Sequence, residues 1–259
     1  MKYLYLLMEI VLYVATVVLY LSVFSRYRYR PAFENSVETK PKTAHKALIA
    51  FLALFFGMVL VVFFVWRRLG HEEPHHIGYF TSFFVSGLLT LAWFRKSLPR
   101  IDLTLCLPSI GIVWILLLVF EALLEYFNAG WVYTDSTVLT FKIGGFFTVI
   151  FENLIVFYVF APYMSIVMFT GLAANRSDRV AFIIVNLIIW VGGAVWEYLS
   201  IGIFHLWYMV EDRSILPFNL FNARTTIEEM LYYVPFAALS ILIYLELYYR
   251  KYRYLSKER

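Results

Sequence analysis

The chain is short of charged residues and has a single cysteine. Asp, Glu, Lys and Arg together make up 15% of its 259 residues, whereas hydrophobic residues make up 62%. Soluble globular proteins carry about 25% charged residues, so this composition excludes that class. Because Cys106 stands alone, neither an internal disulfide nor a multi-cysteine metal site can form. The formal net charge of only +4 gives no reason to expect nucleic acid as a partner.

In place of charge the chain has long apolar runs. Seven of them reach or approach the roughly 20 residues that cross a bilayer. They fall near residues 3–24, 45–66, 77–94, 104–126, 143–170, 179–205 and 227–249. The sequence therefore predicts an all-α integral membrane protein of the cell membrane. We expect a single multi-pass domain over residues 1–259 with seven transmembrane helices.

The basic residues are unevenly distributed between the two sides of the predicted helices. The loops after the first, third and fifth spans and the C-terminal tail hold 16 of the 22 Lys and Arg residues. Short loops rich in Lys and Arg stay on the cytoplasmic side of a membrane. We therefore expect the N-terminus outside and the C-terminus inside, with the basic side attracted to anionic membrane lipid.

Aromatic and acidic residues recur at a constant offset of 76 positions. Trp114, Glu121, Trp131 and Glu152 are followed by Trp190, Glu197, Trp207 and Glu228. The offset spans two predicted helices, so both copies have the same orientation, as in tandem parallel repeats related by an axis along the membrane normal. The sequence predicts repeat unit one at about 104–171 and unit two at about 179–250, with three further helices within residues 1–100.

Glutamates are the chemically reactive members of this repeat. An ionisable side chain within an apolar segment is costly to bury and is a functional candidate by default. The predicted topology brings Glu121, Glu152, Glu197 and Glu228 toward the outer leaflet, facing one cavity. Desolvation favours the protonated form of a carboxyl group, and two such groups that share a site favour it further. One can then act as a general acid while another acts as a base, and surrounding aromatic rings can stabilise a carbocation.

Two motifs follow the same order in the two copies. The first is Gly130-Trp131-Val132-Tyr133 followed by Glu152-Asn153, and the second is Trp207-Tyr208 followed by Thr226-Ile227-Glu228-Glu229. They resemble the lycopene cyclase domain, the small membrane type found in bacteria, archaea and fungi. That family carries an acidic residue before a Trp-x-aromatic motif, and then Pro-x-Glu-Glu or Pro-x-Glu-Asp at a helix start, in two tandem copies. Ile150 and Thr226 stand here in place of the proline, and Asn153 stands in place of the second acid.

The resemblance covers about residues 104–250 and implies the redox-neutral cyclisation of a linear carotenoid end group, such as that of lycopene, without a cofactor or a metal ion. It implies acid or base roles for Glu228 and Glu152, support from Glu229, and orienting or second-carboxylate roles for Glu121 and Glu197. Residues expected to contact the substrate are Trp131, Tyr133, Trp207, Tyr208, Trp196 and Asn153. The partners it implies are a lipophilic polyene, membrane lipid, and further copies of the chain or other carotenoid enzymes in an oligomer.

Other interpretations of the same residues stay open. Repeated glutamates also suit a proton- or cation-coupled transporter, and a cyclase relative with altered motifs can bind carotenoid or lipid without catalysis. Glu228 and Glu229 are also favourable charges at a helix N-terminus, with Thr225 or Thr226 as the cap. Buried glutamates can instead fix helix packing through a hydrogen bond to Asn186 or to a tyrosine.

Two further glutamates lie in the first and last predicted spans. Glu9 and Glu246 have no counterparts at the repeat offset, and we expect them to pair within the helix bundle. His205, next to the end of the sixth span, is expected to be an interfacial side chain rather than a metal ligand.

Overall fold

The computed structural model describes residues 2–26, 101–127, 131–133, 140–143, 147–150, 158–159, 161–203, 207–209 and 216–257. It also describes residues 85, 89–90, 92–93 and 205. This part of the chain folds mainly into α-helices. They are α1 (Lys2–Arg26), α2 (Leu103–Tyr126), α3 (Ala161–Ala173), α4 (Asp178–Glu197) and α5 (Ile227–Lys257). At its end α4 continues as a wider π-helical segment, Tyr198–Ile203.

Four helical segments are long and apolar enough to cross a bilayer, namely Tyr5–Arg26, Leu103–Leu124, Asp178–Ile203 and Ile227–Lys251. They coincide with the first, fourth, sixth and seventh predicted spans, which are thereby confirmed as helices. Four such helices indicate a multi-pass membrane protein. The second predicted span and most of the third lie outside the described residues.

The fifth predicted span, over residues 143–170, differs from the structure. Its first part contains a strand at Phe147–Ile150, and the helix α3 begins only at Ala161 and is 13 residues long. Aromatic, Thr, Val and Ile residues in a short run favour a strand over a helix. The prediction is therefore wrong for the start of this span.

The central helix of the bundle is α5. Of its apolar stretch 72% is buried inside the protein, against 17% for that of α1. The outward side of α1 carries apolar residues such as Val14, Val18 and Leu21, each more than half exposed. An apolar surface of this kind is suited to contact with lipid tails.

Helices α1 and α5 run in the same direction. Near their starts, the Tyr5 hydroxyl donates to Glu229 Oε2 at 2.5 Å. Near their ends, Arg26 Nη1 donates to Glu246 Oε1 at 3.1 Å. Contacts start-to-start and end-to-end are only made by parallel helices. The start of α1 and the end of α5 therefore lie at opposite ends of the bundle.

Helices α2 and α4 run the other way. The Tyr249 hydroxyl, near the end of α5, donates to Oδ2 of Asp178 at the start of α4 at 2.9 Å. The Tyr244 hydroxyl accepts a hydrogen bond from the backbone of Asp102, just before α2, at 3.1 Å. The starts of α2 and α4 thus lie with the end of α5, and their ends lie with its start.

Six short strands occur in the connections between the described helices, so the all-α prediction is wrong for these segments. They are β1 (Trp131–Tyr133), β2 (Thr140–Ile143), β3 (Phe147–Ile150), β4 (Trp207–Met209), β5 (Pro217–Leu220) and β6 (Ala223–Thr226). The hairpins β2–β3 and β5–β6 are antiparallel. Strands β1 and β4 also pair antiparallel, with Val132 opposite Tyr208 at the centre.

The strands follow the same offset as the repeated residues. Strand β4 begins and ends 76 positions after β1, and β6 begins and ends 76 positions after β3. Strand β5 is displaced by one further residue, because the β2–β3 loop has three residues and the β5–β6 loop has two. A strand and then a hairpin thus follow both α2 and α4.

Candidate functional site

Four buried glutamates from three helices lie around the start of α5. They are Glu9 on α1, Glu197 at the end of α4, and Glu228 and Glu229 in the first turn of α5, and none is more than 3% exposed. We call this group the carboxyl cluster. Its assembly follows from the helix directions, because α1 starts and α4 ends at the same end of the bundle at which α5 starts.

The start of α5 positions Glu229. The Thr226 hydroxyl accepts a hydrogen bond from the Glu229 backbone N–H at 3.1 Å, so Thr226 is the N-cap, one of the two residues predicted for that role. The Glu229 side chain points into the bundle, where Oε2 accepts from Tyr5. It also lies near enough to the Glu197 carboxyl group to interact with it electrostatically. The helix-capping interpretation therefore accounts for the backbone of Glu229 but not for its side chain.

Glu197 accepts hydrogen bonds from two aromatic side chains. The Tyr233 hydroxyl donates to Oε1, and the Trp207 indole N–H donates to Oε2 at a long 3.5 Å. The tyrosine ring fits against α4 only because residue 193 is glycine, since a Cβ there would lie 2.6 Å from the ring. Tyrosine, rather than Asn186, is thus the hydrogen-bonding partner that the sequence left open for this glutamate; the Asn186 amide donates to the Phe182 carbonyl.

Glu197 and Glu229 are two acidic groups in one buried site, and each influences the other electrostatically. Two like charges 4 Å apart repel by about 4 kcal/mol at an effective dielectric of 20. No Lys or Arg among the described residues forms an ion pair with Glu9, Glu197 or Glu229 to offset this repulsion. The defining electrostatic feature of the cluster is therefore the proximity of acidic groups without a basic partner among the described residues.

Glu228 and Glu9 are the other two members of the cluster, and each is 1% exposed. Glu228 Oε1 accepts a hydrogen bond from the backbone N–H of Leu216, a residue that is 49% exposed. Glu9 is near enough to Glu228 to interact with it electrostatically. Glu9 was not among the predicted site residues, although Tyr5, Glu9 and Tyr13 are spaced at i, i+4, i+8 on one helix face. A glutamate in the first apolar span was the signal available for finding it.

An apolar cavity of about 380 Å³ adjoins the cluster. Helices α2, α3, α4 and α5 line it, with side chains that include Leu117, Met164, Trp196 and Phe236. The Tyr233 ring belongs to the same wall while its hydroxyl donates to Glu197. Tyr233 thus joins the carboxyl cluster to a space that is suited to an apolar molecule.

The other predicted residues on the described helices and strands have different surroundings. Trp196 lines the cavity, and Trp207 is buried against Glu197. Glu121 is buried on α2, with 5% of its surface exposed. The Tyr208 side chain, in contrast, is 51% exposed.

The first copy of the motif is described only in part. Trp131 and Tyr133 form the ends of β1, opposite Met209 and Trp207 of β4. Glu152 and Asn153 lie outside the described residues. In the sequence, Glu152 follows β3 by two positions, just as Glu228 follows β6.

These features define a helical, multi-pass membrane protein with buried carboxyl groups beside an apolar cavity. No protein-family model matches the chain, and no curated protein or solved structure matches it either.

Proposed function

We propose that this protein is a membrane enzyme that cyclises the end group of a linear carotenoid such as lycopene by redox-neutral acid–base chemistry. The single observation that carries the proposal is the position of Tyr233, whose ring lines the apolar cavity and whose hydroxyl donates to Glu197. Proton-donating groups and a space for a lipophilic polyene thereby meet at one residue. Membrane lipid is the expected source of the substrate.

The strand pattern supports a tandem repeat of the kind found in the lycopene cyclase domain. Strands β1 and β4 are 76 positions apart, and the central residue of each, Val132 and Tyr208, lies opposite the other. Two equivalent strands that pair antiparallel through equivalent residues are related by a local two-fold axis. Such an axis, along the membrane normal, is what two parallel repeat units require.

The helix directions support the proposed topology of seven spans, with the N-terminus outside and the C-terminus inside. Because α1 and α5 are parallel, the chain crosses the membrane an odd number of times from the start of α1 to the end of α5. Arg26, Arg250 and Lys251 lie together at the end of the bundle opposite to the carboxyl cluster. Basic residues on one side are typical of the cytoplasmic face.

The proposed reaction begins with the transfer of a proton from a carboxyl group to a carbon of the terminal double bond. The resulting carbocation is attacked by a second double bond of the same chain, which forms one carbon–carbon bond and closes the ring. A carboxylate then removes a proton from the carbon next to the new cation, and a double bond forms again. One proton enters and one leaves, so substrate and product are isomers.

The Glu197 and Glu229 pair suits the two proton transfers. After one turnover the donor is a carboxylate and the acceptor is protonated, and a proton passed between these two neighbouring groups would restore the starting state. Aromatic rings that line the cavity, namely Trp196, Tyr233 and Phe236, can stabilise the cation. Glu228, Glu152 and Glu121 stay candidates for acid, base or orienting roles.

A proton-coupled carrier is the second candidate function. It is favoured by Glu9, whose two carboxylate oxygens are buried and have no hydrogen-bond donor among the described residues. Buried carboxyl groups of this kind bind protons in pumps and transporters. A relative that binds carotenoid without catalysis would use the cavity alone.

The experiment is expression of the full chain in cells that accumulate lycopene, followed by chromatography of the pigments. The expected result is a monocyclic or bicyclic carotenoid, which Glu229→Gln abolishes at an unchanged protein level and Glu246→Gln does not. Unchanged lycopene in the presence of folded wild-type protein would count against the enzyme. Proton flux in proteoliposomes without cyclisation would favour the carrier.

A further inference from the structure

The apolar cavity beside the carboxyl cluster reaches the exposed side of α4. Three α4 residues that line it are exposed, namely Ile188 at 44%, Val195 at 54% and Gly192. They are spaced at i, i+4 and i+7, so they share one face of the helix. The inner wall of the cavity is buried and includes Met164 and Phe236. The cavity thus combines a closed interior with one side that lies at the protein surface.

This exposed side lies in the middle of a membrane-spanning segment. Within the apolar helical segment Asp178–Ile203, Gly192 is 14 residues from the start and 11 from the end. At 1.5 Å per residue, it is more than about 15 Å from either end. The hydrocarbon core of a bilayer is about 30 Å thick, so a residue at this depth faces acyl chains rather than water.

The absence of a side chain at residue 192 leaves space at the edge of the cavity. Glycine is less favourable than alanine inside a helix, yet α4 contains two in succession, Gly192 and Gly193. Gly193 is required by the Tyr233 ring. Packing does not explain Gly192, because the described chain places nothing but the neighbouring α4 backbone within 4 Å of a Cβ built there. The space that Gly192 leaves free belongs to the exposed side of the cavity.

The volume of the cavity limits how much of a ligand it can hold. A cavity of about 150 Å³ in another protein holds one benzene molecule, so about 380 Å³ corresponds to roughly 15 carbon atoms. That is enough for one end group of a linear carotenoid, but not for the whole polyene. The remainder of such a molecule has to lie outside the cavity, and the exposed side at Gly192 adjoins lipid.

We propose that Gly192 marks a mouth, lined by Ile188, Gly192 and Val195, through which the end of a linear polyene enters the cavity sideways from the bilayer. The rest of the molecule stays among the lipid tails. The identity of the ligand rests on the proposed cyclase function, whereas the route rests on the geometry of α4. Gly192 is thus a specificity-determining residue that admits a long apolar chain by its end.

The test is the amount of lycopene that the full-length protein retains when it is purified from lycopene-accumulating cells. The parent variant is Glu229→Gln, so that bound lycopene is not converted. We expect lycopene to copurify with it, as measured by absorbance per amount of protein. Addition of Gly192→Phe should lower this amount at least about tenfold, because an aromatic ring overpacks the mouth.

Val191→Phe is the matched control. Val191 adjoins Gly192 on α4 and is 57% exposed, but it is not among the described residues that line the cavity. In the same parent, Val191→Phe should retain lycopene within a few-fold of the parent amount. Equal retention in the two variants would overturn the mouth, whether both keep lycopene or both lose it.

Val195→Phe covers the case in which Gly192→Phe does not fold. It narrows the same mouth from the next turn of α4 and should also lower retention, so full retention in this variant would overturn the proposal. Absence of lycopene from the Glu229→Gln parent would do the same.

Failure of the mouth and failure of the enzyme give different results. Lycopene that is retained unchanged by wild type and lost from Gly192→Phe would support the mouth and count against the cyclase. Cyclised product from the Gly192→Phe single variant at the wild-type yield would support the cyclase and overturn the mouth.

Discussion

Carboxylates at the two ends of the bundle have opposite kinds of partners. At one end, which we call the basic end, Glu246 pairs with Arg26 at 3.1 Å and with Arg250 at 2.7 Å. At the other end, the carboxyl cluster has tyrosine, indole and carboxyl partners. Glu229 and Glu246 are 17 residues apart on α5, which corresponds to about 25 Å along the helix at 1.5 Å per residue.

The difference teaches how the same side chain serves two purposes. At the basic end, the ion pair between Arg26 and Glu246 joins the end of α1 to α5. At the carboxyl cluster, the tyrosine hydroxyls and the carboxyl groups can each donate or accept a proton in a hydrogen bond. Because Arg26 and Arg250 are more than half exposed, the ion pairs at the basic end contribute little to stability, about 0–1 kcal/mol each.

Among the variants that test this comparison, Glu229→Gln is expected to reduce the yield of cyclised carotenoid the most. The variant keeps the shape of the side chain but removes its acid–base function, and general acid–base groups contribute about 10²–10⁴-fold to rate. We expect cyclised carotenoid to fall by at least about 100-fold. The measurement is pigment yield per amount of folded protein in lycopene-accumulating cells, and near-normal yield would exclude Glu229 from the chemistry.

Tyr233→Phe should have the next largest effect on activity. It removes the hydroxyl that donates to Glu197, and a hydrogen bond to a charged group is worth about 1.5–3 kcal/mol, roughly a tenfold or larger loss of rate. Tyr249→Phe is the control at the basic end, where it removes a similar bond to Asp178. Equal loss of activity in the two variants would contradict a special role for Tyr233.

Gly193→Ala should reduce stability and activity more moderately. Its Cβ would lie 2.6 Å from the Tyr233 ring, and overpacking of this kind costs about 1–3 kcal/mol. Gly192→Ala is the control, because among the described residues no atom beyond the adjoining backbone of α4 lies within 4 Å of a Cβ built there. Thermal unfolding in detergent should separate the two variants by several degrees, and identical melting temperatures would show that the ring yields without cost.

Glu246→Gln should have the smallest effect. It removes two ion pairs whose arginines are more than half exposed, so we expect a loss of unfolding free energy of about 1 kcal/mol or less, with cyclisation unchanged. Denaturation at low and high salt measures this loss, which should shrink as salt screens the wild-type pairs. A loss as large as that from Glu229→Gln would remove the distinction between the two ends.

The second copy of the motif was the part of the site that the sequence predicted best. Glu197, Trp207 and Glu228 were singled out by the 76-residue offset, and they lie in or against the carboxyl cluster. The length and hydropathy of the apolar runs were sufficient to predict four of the apolar helices. A segment of about 20 apolar residues can cross a bilayer whatever the details of its packing.

The neighbours of Glu9 and the short strands could not be predicted from a local sequence pattern. The contact between Tyr5 and Glu229 joins helices 224 positions apart, and no spacing within α1 indicates which helix it meets. Strands of three or four residues, such as Trp131–Tyr133, carry too few positions for a periodicity of two to be recognised. The pairing of β1 with β4 depends in addition on the arrangement of the two repeat units.

The parallel packing of α1 against α5 also has a consequence for how the protein is made. Synthesis runs from the N-terminus, so Glu9 enters the membrane in α1 long before residue 229 leaves the ribosome. Until α5 arrives, neither Glu9 nor Tyr5 has the neighbours on α5 that it has in the folded protein. The carboxyl cluster can thus assemble only after α5 has been made, and a nascent chain released before α5 would retain its first helices without the cluster that they help to build.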